Sequence, residues 1–499
     1  MITIYRWKEF LEYMKKFDKD KYLKKLKFQR AWRKYERYFC VGVPCLMIAV
    51  LGIYIISAKV NKEDFISDDT IGAYIDGEYS QTIPSKSDGY VVQKIVCDNG
   101  AVGEWDNDKW GLLTTNMTQK SKCNVYFKSN PLKKLISQLD ATGKCPTINE
   151  DGTINVNGPE SENALLCSAP DAYGTSYYYR GNVTNNYVKF GKWSDDTPDI
   201  YSGSDVYYSS LEECQSASSS NKCTLISRAG KDMYWRIVRI NGDGSIRMIY
   251  DGTSAHVNGE SSEDRYIAFG TSFNVSVRIS PKISIAVINR NALVGYMYGD
   301  ISGKTYEETH ANINNSVIKT DIDTWYENNI KGTTNEQYVL DNLFCNDRSF
   351  ASSNSGTGIG NSATYYRWSN LENMGDNKIT LKCLQKNDAL TMNDTLNGAA
   401  VLKYGIGLIT ADEAVLAGAW NTTNNNYYLY INQNYWTMSA SLQGGGFPYE
   451  SIVNSSGEIN YDAVDGRNLE VTRPVISLSS EVLAHGDGTS NNPYRLVSD

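Results

Sequence analysis

The segment YWRIVRINGDGSIRMIY, residues 234–250, carries the clearest local pattern in the chain. Its two ends, Tyr234 to Ile240 and Ile246 to Tyr250, are aromatic and β-branched runs, a composition that favours strands. The linking residues Asn241 to Ser245 include two glycines that can take positive φ, so the segment predicts a β-hairpin. We expect the three arginines of this hairpin on solvated strand faces, as is usual for arginine, and the alternative is a binding site for an acidic group. They are Arg236, Arg239 and Arg247.

Two helices are indicated elsewhere in the chain. Apolar residues recur at three- and four-residue intervals between Ser316 and Ile330, which is the period of an amphipathic helix. A second helix begins at the capping box that runs from Thr410 to Glu413, and Gly418 ends it. Short aromatic and β-branched runs separated by turn residues fill most of the remaining chain. Few helices among many short strands predict an α+β fold.

The N-terminal part of the chain predicts a membrane anchor. Of the 49 basic and 57 acidic residues, 13 and 5 respectively fall within the first 37 residues, which form a basic leader. No charged residue occurs from Tyr38 to Ala58, and 21 helical residues span roughly 30 Å, the thickness of the hydrocarbon core of a bilayer. The positive-inside rule then places the N-terminus in the cytoplasm and the C-terminal part outside the cell. A cleaved signal peptide is the alternative.

The predicted partners follow from this charge distribution. The leader combines lysines with aromatic and leucine side chains, which is the composition of a helix lying on anionic lipid; a solvated basic anchor is the alternative. The near balance of charge over the whole chain does not indicate a nucleic-acid partner. We therefore expect a single-pass protein of the cell membrane with an extracellular C-terminal domain.

The cysteines indicate an oxidising compartment. Cys40 and Cys45 lie in the predicted span, and the other eight follow it. Eight cysteines allow on the order of a hundred disulfide connectivities. Sequential pairing is one of them and gives short disulfide loops, and free buried thiols are the alternative to disulfides. No pair has CxxC spacing and the chain has only 3 histidines, so we expect no metal site and no cofactor. The disulfide candidates are Cys97, Cys123, Cys145, Cys167, Cys214, Cys223, Cys345 and Cys383.

Composition shifts divide the chain into six segments. The second segment is the predicted membrane helix. The fourth segment contains Trp105 between two cysteines, which favours a small disulfide-linked, β-rich module resembling a sandwich. The segments are a basic cytoplasmic leader (1–37), a transmembrane helix (38–58), a stalk (59–72), the small β module (73–128), a connection (129–174) and a large C-terminal domain (175–499).

Three motifs in the last third of the chain carry a family resemblance. Gly407 to Glu413 opens a helix, Tyr435-Trp436-Thr437-Met438-Ser439 follows, and Arg473 to Leu478 comes last. This ordered trio resembles the C-terminal modules of uncharacterised exported and surface proteins of Firmicutes-type bacteria, which look like the C-type-lectin and formylglycine-generating-enzyme fold. The resemblance covers residues 175 to 499 and implies a C-type-lectin-like domain that serves display and binding.

The resemblance also suggests residues that would contact a ligand. These are Tyr435, Trp436, Trp420 and Arg473. The chain departs from formylglycine-generating enzymes, because its last cysteine, Cys383, precedes the Trp436 motif, so oxidase chemistry is not expected. Neither Glu-Pro-Asn nor Trp-Asn-Asp, the motifs of calcium-dependent lectins, is present.

No catalytic motif was found in the sequence. The histidines lack a GxSxG or HExxH context, and no carboxylate stands out at the end of an apolar strand. We therefore predict a cell-surface protein that binds an extracellular glycan or protein without catalysis. The alternatives are an extracellular enzyme acting on cell-wall or host polymers, and a structural or sensory component of the envelope.

Overall fold

The computed structural model describes residues 71–496, apart from 86–89, 107–108, 117–120, 130–134, 136–142, 204–205, 218–221, 270–294, 301–304, 349–378, 445–446, 465–469 and 484. The chain divides into two compact units. The first comprises Met1–Ile83 and Val92–Tyr126, and the second comprises Pro84–Val91 and Phe127–Asp499.

The described residues of the first unit form strands. A four-stranded sheet has the order β2-β1-β6-β3, and a separate ribbon pairs β4 with β5. The disulfide between Cys97 and Cys123 joins β3 to its neighbour β6. Gly103 of the ribbon lies against the side chains of Ile95 and Cys97, so a larger residue at that position would clash with the sheet. The strands are β1 (Ile71–Ile75), β2 (Glu78–Ser80), β3 (Tyr90–Cys97), β4 (Val102–Asp106), β5 (Gly111–Thr115) and β6 (Cys123–Ser129).

The second unit centres on a seven-stranded sheet of order β22-β27-β16-β15-β10-β9, with β11 also paired to β15. The predicted hairpin is confirmed as β15 and β16, and the amide of Asn241 donates to the carbonyl of Ser245 across the turn (2.8 Å). Every residue of β16 is buried, so both faces of the sheet are covered. The strands are β9 (Ala164–Pro170), β10 (Thr175–Gly181), β11 (Tyr187–Lys192), β15 (Asp232–Ile240), β16 (Ile246–Gly252), β22 (Ile406–Gly407) and β27 (Val475–Leu478).

A five-stranded sheet of order β17-β26-β23-β24-β25 carries the Trp436 motif. A three-stranded sheet of order β13-β12-β14 and three short pairs complete the second unit as described. The strands of these sheets are β7 (Thr147–Ile148), β8 (Ile154–Asn155), β12 (Ile200–Gly203), β13 (Val206–Tyr208), β14 (Thr224–Ile226), β17 (Ala268–Phe269), β18 (Met297–Tyr298), β19 (Asn314–Asn315), β20 (Phe344–Cys345), β21 (Ala389–Leu390), β23 (Tyr435–Gly444), β24 (Phe447–Val453), β25 (Ile459–Ala463) and β26 (Val471–Thr472).

The two predicted helices are confirmed. Helix α3 is capped by the hydroxyl of Ser316, which accepts from the amide of Lys319. Helix α4 begins with the predicted capping box, in which Thr410 and Glu413 bond each other's backbone amides, and Gly418 ends it at φ 134°. The α-helices of the described residues are α1 (Leu211–Ala217), α2 (Tyr306–Thr309), α3 (Val317–Asn329) and α4 (Ala411–Ala417).

The prediction of an α+β fold was wrong, because the protein is mainly β. The described residues form 27 strands, and only α3, with 13 residues, is longer than two helical turns. Tyrosine-rich segments such as Thr175–Gly181 pair as strands, as their β propensity favours.

The expectation of a single-pass membrane protein with an N-terminal transmembrane helix also requires correction. Among the described residues, no helix combines the length and the apolar composition needed to cross a bilayer. The longest, α3, would span only about 20 Å and carries Lys319, Asp323 and Glu327. The predicted leader (1–37) and membrane helix (38–58) lie outside the described residues, as does the predicted stalk up to residue 70.

The prediction of disulfides is confirmed, and the pairing is sequential. The second unit contains three of the bonds, which close loops of 22, 9 and 38 residues. Closing such loops restricts the unfolded chain and typically stabilises a protein by about 2–4 kcal/mol for each bond. The four pairs are Cys97–Cys123, Cys145–Cys167, Cys214–Cys223 and Cys345–Cys383.

Candidate functional site

The arginines of the central hairpin are buried, not solvated as predicted. Arg236, Arg239 and Arg247 are 0%, 4% and 1% exposed. The physical reason is that β15 and β16 lie in the middle of a covered sheet, where a charge must be paired. Each guanidinium lies beside a buried carboxylate of the protein itself.

Glu413 is the carboxylate shared by two of these arginines. Its Oε2 accepts from the amide of Thr410 (3.0 Å) as part of the capping box. Its Oε1 accepts from Nε of Arg239 (2.9 Å) and lies 2.7 Å from Nε of Arg247. Burial alone would raise the pKa of Glu413, but the charges of Arg247 and Arg239 outweigh it and lower that pKa. Glu413 therefore belongs to the capping box of α4 and also pairs with two buried arginines of the central sheet.

Asp171 fixes the other side of Arg239. Its Oδ2 accepts from Nη1 of Arg239 (2.8 Å) and from the amide of Gly242 in the hairpin turn (3.0 Å). Its Oδ1 accepts from the amides of Tyr173 and Gly174 in the turn between β9 and β10 (2.8 and 3.0 Å). The guanidinium of Arg239 is thus held from two directions, by Glu413 of α4 and by Asp171 in the turn after β9.

A small charged pocket opens beside this network. Arg239, Arg247 and Glu413 form part of its lining, together with Thr380, Lys382 and Asp412. Its volume is about 20 Å³, which is room for one or two water-sized groups. The disulfide between Cys345 and Cys383 ties Lys382 to this edge of the site, because Cys345 also lines the pocket. We call this site the charged pocket.

Two donors of the charged pocket have no partner among the described residues. The hydrogen bonds of Arg239 use Nε and Nη1, and none uses Nη2. Lys382 is exposed, and its ammonium group makes no ion pair or hydrogen bond with a described residue. The pocket also contains three carboxylates: both oxygens of Glu413 are engaged, Oδ2 of Asp412 accepts from the amide of Thr380 (3.1 Å), and Asp347 is the third.

Two buried carboxyl groups, which were not predicted from the sequence, lie in or beside the five-stranded sheet. Glu450 is fully buried in β24, and neither of its carboxyl oxygens has a hydrogen-bond partner among the described residues. Burial raises the pKa of Glu450 well above its usual value, and the charge of Asp347, which also lines the charged pocket, raises it further. Burial, followed by Asp462, raises the pKa of Glu470 to about 8. The available signal was a lone glutamate inside the run from Phe447 to Val453.

The four residues that the resemblance suggested as ligand contacts lie in the core. Tyr435, Trp436, Trp420 and Arg473 are 0%, 1%, 5% and 0% exposed. The hydroxyl of Tyr435 donates to the carbonyl of Leu429 (3.2 Å), and the guanidinium of Arg473 lies 5.0 Å from the Tyr435 ring. The structure brings these two together but places none of the four in the charged pocket.

Arg473 belongs to a second buried charge cluster, centred on Asp251. Oδ1 of Asp251 accepts from Nη2 of Arg473 and from Nη2 of Arg265, both at 2.7 Å. Nη1 of Arg236 lies 4.0 Å from Oδ2 of the same carboxylate. All four side chains are fully buried, so this cluster holds β16, β15 and the chain before β27 together without facing solvent.

His256 is buried next to this cluster, between two acids. Its Nε2 lies 3.0 Å from Asp264, and its Nδ1 lies 3.1 Å from Oε1 of Glu260. Burial alone would lower the pKa of His256, but the hydrogen bond to Asp264, the charges of Asp264 and Asp251 and the hydrogen bond to Glu260 together outweigh it, and the pKa is raised. Because Asp264 occupies Nε2, that nitrogen is not free to act as a base toward Ser254, which lies 3.4 Å away.

Comparison with known proteins leaves the family open. No family model, no curated protein sequence and no solved structure shows significant similarity to this chain. The resemblance to C-type-lectin-like modules of bacterial surface proteins therefore stays a prediction.

Proposed function

We propose that this chain is a binding protein without catalytic activity, whose ligand is a glycan or a protein met outside the cell. The observation that carries the proposal is the charged pocket, where Arg239 is almost fully buried but keeps one donor unused by the described residues. Recognition sites typically present a few convergent polar groups on a rigid scaffold. The covered central sheet supplies such a scaffold here.

Two further properties support binding outside the cell. Four disulfides suit an oxidising compartment. The chain also contains 36 tyrosines, a residue that gives a large contact area at low entropic cost. The C-type-lectin-like domain that the resemblance implies would serve the same role.

The test is a binding screen with the full chain. The protein is immobilised and exposed to bacterial and host glycans, extracellular proteins and whole cells, and the degradation of each polymer is followed in parallel. We expect saturable binding to one ligand class without degradation. Degradation of a polymer would favour the enzyme alternative over the proposal. The absence of binding to every target would favour a structural or sensory role.

A further inference from the structure

We propose that His256 is a pH-sensitive latch: its protonated ring fastens residues 253–262, the latch segment, and its neutral ring releases Glu260. The latch segment joins β16 to the helical turn Glu263–Arg265. Both ring nitrogens face a carboxylate, since Nε2 lies 3.0 Å from Asp264 and Nδ1 lies 3.1 Å from Oε1 of Glu260. A neutral imidazole has one N–H, and the imidazolium ion has two. Only the protonated ring can therefore donate a hydrogen bond to both acids.

The charged groups around the ring favour its protonated form. Burial alone would lower the pKa of His256, but Asp264, Asp251 and Glu260 together raise it. From β11, the hydroxyl of Tyr187 donates to the backbone carbonyl of His256 (2.5 Å), so it does not compete for the ring. The nearby cations of the second charge cluster lie within 4.0 Å of Asp251, and they are Arg236, Arg265 and Arg473.

The two acids are held differently, and this decides which of them is released. The side chain of Asp264 is 17% exposed and also accepts from the amide and the hydroxyl of Thr253 (2.7 and 2.8 Å) and from the hydroxyl of Ser262. The side chain of Glu260 is 43% exposed, and its Oε2 accepts from the amide of Val257 (3.1 Å). A neutral ring keeps its single N–H toward the better-held Asp264, and the lone pair of Nδ1 then faces Oε1 of Glu260. Because two acceptors repel each other and water reaches Glu260, this side chain turns out to solvent.

Release of Glu260 loosens the turn that its carboxylate closes. The amide of Glu260 donates to the carbonyl of Val257 (3.2 Å), and the amide of Val257 donates to the carboxylate of Glu260. The latch segment also covers the second charge cluster, since Oδ1 of Asn258 accepts from Nη1 of Arg236 (3.1 Å). Because the pKa of His256 is raised in the folded protein, the fastening is complete below the usual pKa of a histidine and is lost as the pH rises through the folded pKa.

The first measurement is the protonation of the ring itself, by nuclear magnetic resonance of the full chain. Its 3 histidines are labelled with nitrogen-15, and the signals that disappear in His256→Gln are assigned to His256. At about pH 6.5, the usual pKa of a histidine, we expect more than half of these rings to be protonated at both nitrogens. At pH 9 we expect the remaining proton on Nε2. A ring that is mostly neutral at pH 6.5, or a proton on Nδ1 at pH 9, would overturn the proposal.

The second measurement is hydrogen exchange of the amides of Val257 and Glu260. The wild type is compared with Glu260→Gln at the same pH, so that the intrinsic exchange rate and the other titrating groups are matched. The amide side chain of this variant can accept from the protonated ring and donate to the neutral one, so it does not sense the proton. Protection in the wild type relative to the variant should fall about fivefold from pH 5.5 to pH 9, an effect between those of exposed and buried ion pairs.

A control variant and a reference strand complete the test. Glu212→Gln changes an exposed glutamate of α1, and the protection of the wild type relative to this variant should not change with pH. The opening must also be local, so at pH 9 the amides of Val257 and Glu260 should be less protected than those of β16 in the central sheet. A wild-type protection relative to Glu260→Gln that does not change with pH, or equal protection of the latch segment and β16 at pH 9, would refute the latch.

Discussion

Replacing Glu413 tests whether one carboxylate holds together the helix cap and the buried arginines. In Glu413→Gln the amide oxygen can still accept from the amide of Thr410, but the charge facing Arg239 and Arg247 is lost. Removing one partner of a buried ion pair typically destabilises a protein by about 3–5 kcal/mol, because the other charge stays buried and unpaired. We expect a loss in this range. Glu413→Ala should lose about 1 kcal/mol more, since it also removes one half of the capping box, the hydrogen bond from the amide of Thr410.

The assay is urea unfolding followed by tryptophan fluorescence, which reports on the second unit through Trp235 and Trp325, buried beside the central sheet. Glu212→Gln is the matched control, because Glu212 is exposed in α1 and should shift the free energy of unfolding by no more than about 0.5 kcal/mol. A Glu413→Gln protein that lost less than about 1 kcal/mol would show that the two arginines do not depend on this carboxylate.

Three further predictions use the other buried groups. Trp436→Ala should lose about 3–5 kcal/mol in urea unfolding, as expected for a core tryptophan, whereas Tyr461→Ala, at a residue 38% exposed, should lose much less; similar losses would argue against the core assignment. Because the pKa of Glu450 is raised in the folded protein, the melting temperature of the wild type should fall as the pH rises above the usual pKa of a glutamate. Glu450→Gln should abolish this fall. Melting temperatures that fall in parallel with pH in the variant and the wild type would contradict the raised pKa. Because the pKa of His256 is raised in the folded protein, the stability that the protonated ring contributes is fully present below about pH 6.5 and is lost as the pH rises through the folded pKa. His256→Gln should therefore destabilise the protein more at pH 5.5 than at pH 9. An equal loss of stability at both pH values would refute the pairing with Asp264.

Local patterns predicted local structure well. The hairpin at β15 and β16, helix α3 and the capping box of α4 all depend on residues within a few positions of one another, and each is present. The sequential disulfides close loops of at most 38 residues. In these segments propensity, turn chemistry and packing agree, so the sequence alone is informative.

Long-range pairing was not predictable in the same way. Asp171 and Glu413, which neutralise Arg239, lie 68 and 174 residues away in sequence. Without them an arginine on a strand is expected in solvent, and so the burial of the hairpin arginines was missed. The same limit applied to Glu450, whose burial depends on which strands cover β24. The α+β prediction was wrong because the two clear helical patterns were the exception among paired short strands.

In the proposed binding function, the two donors of the charged pocket would have different roles. Arg239 is buried and fixed by two carboxylates, so it sets the direction of a hydrogen bond and distinguishes one ligand group from another. Lys382 is exposed, so its attraction to an anion acts at longer range and is screened by salt. Because Glu413 both caps α4 and orients Arg239, a substitution at either of these residues alters the fold and the pocket together. Lys382 is the position at which ligand binding can be changed while the network stays intact.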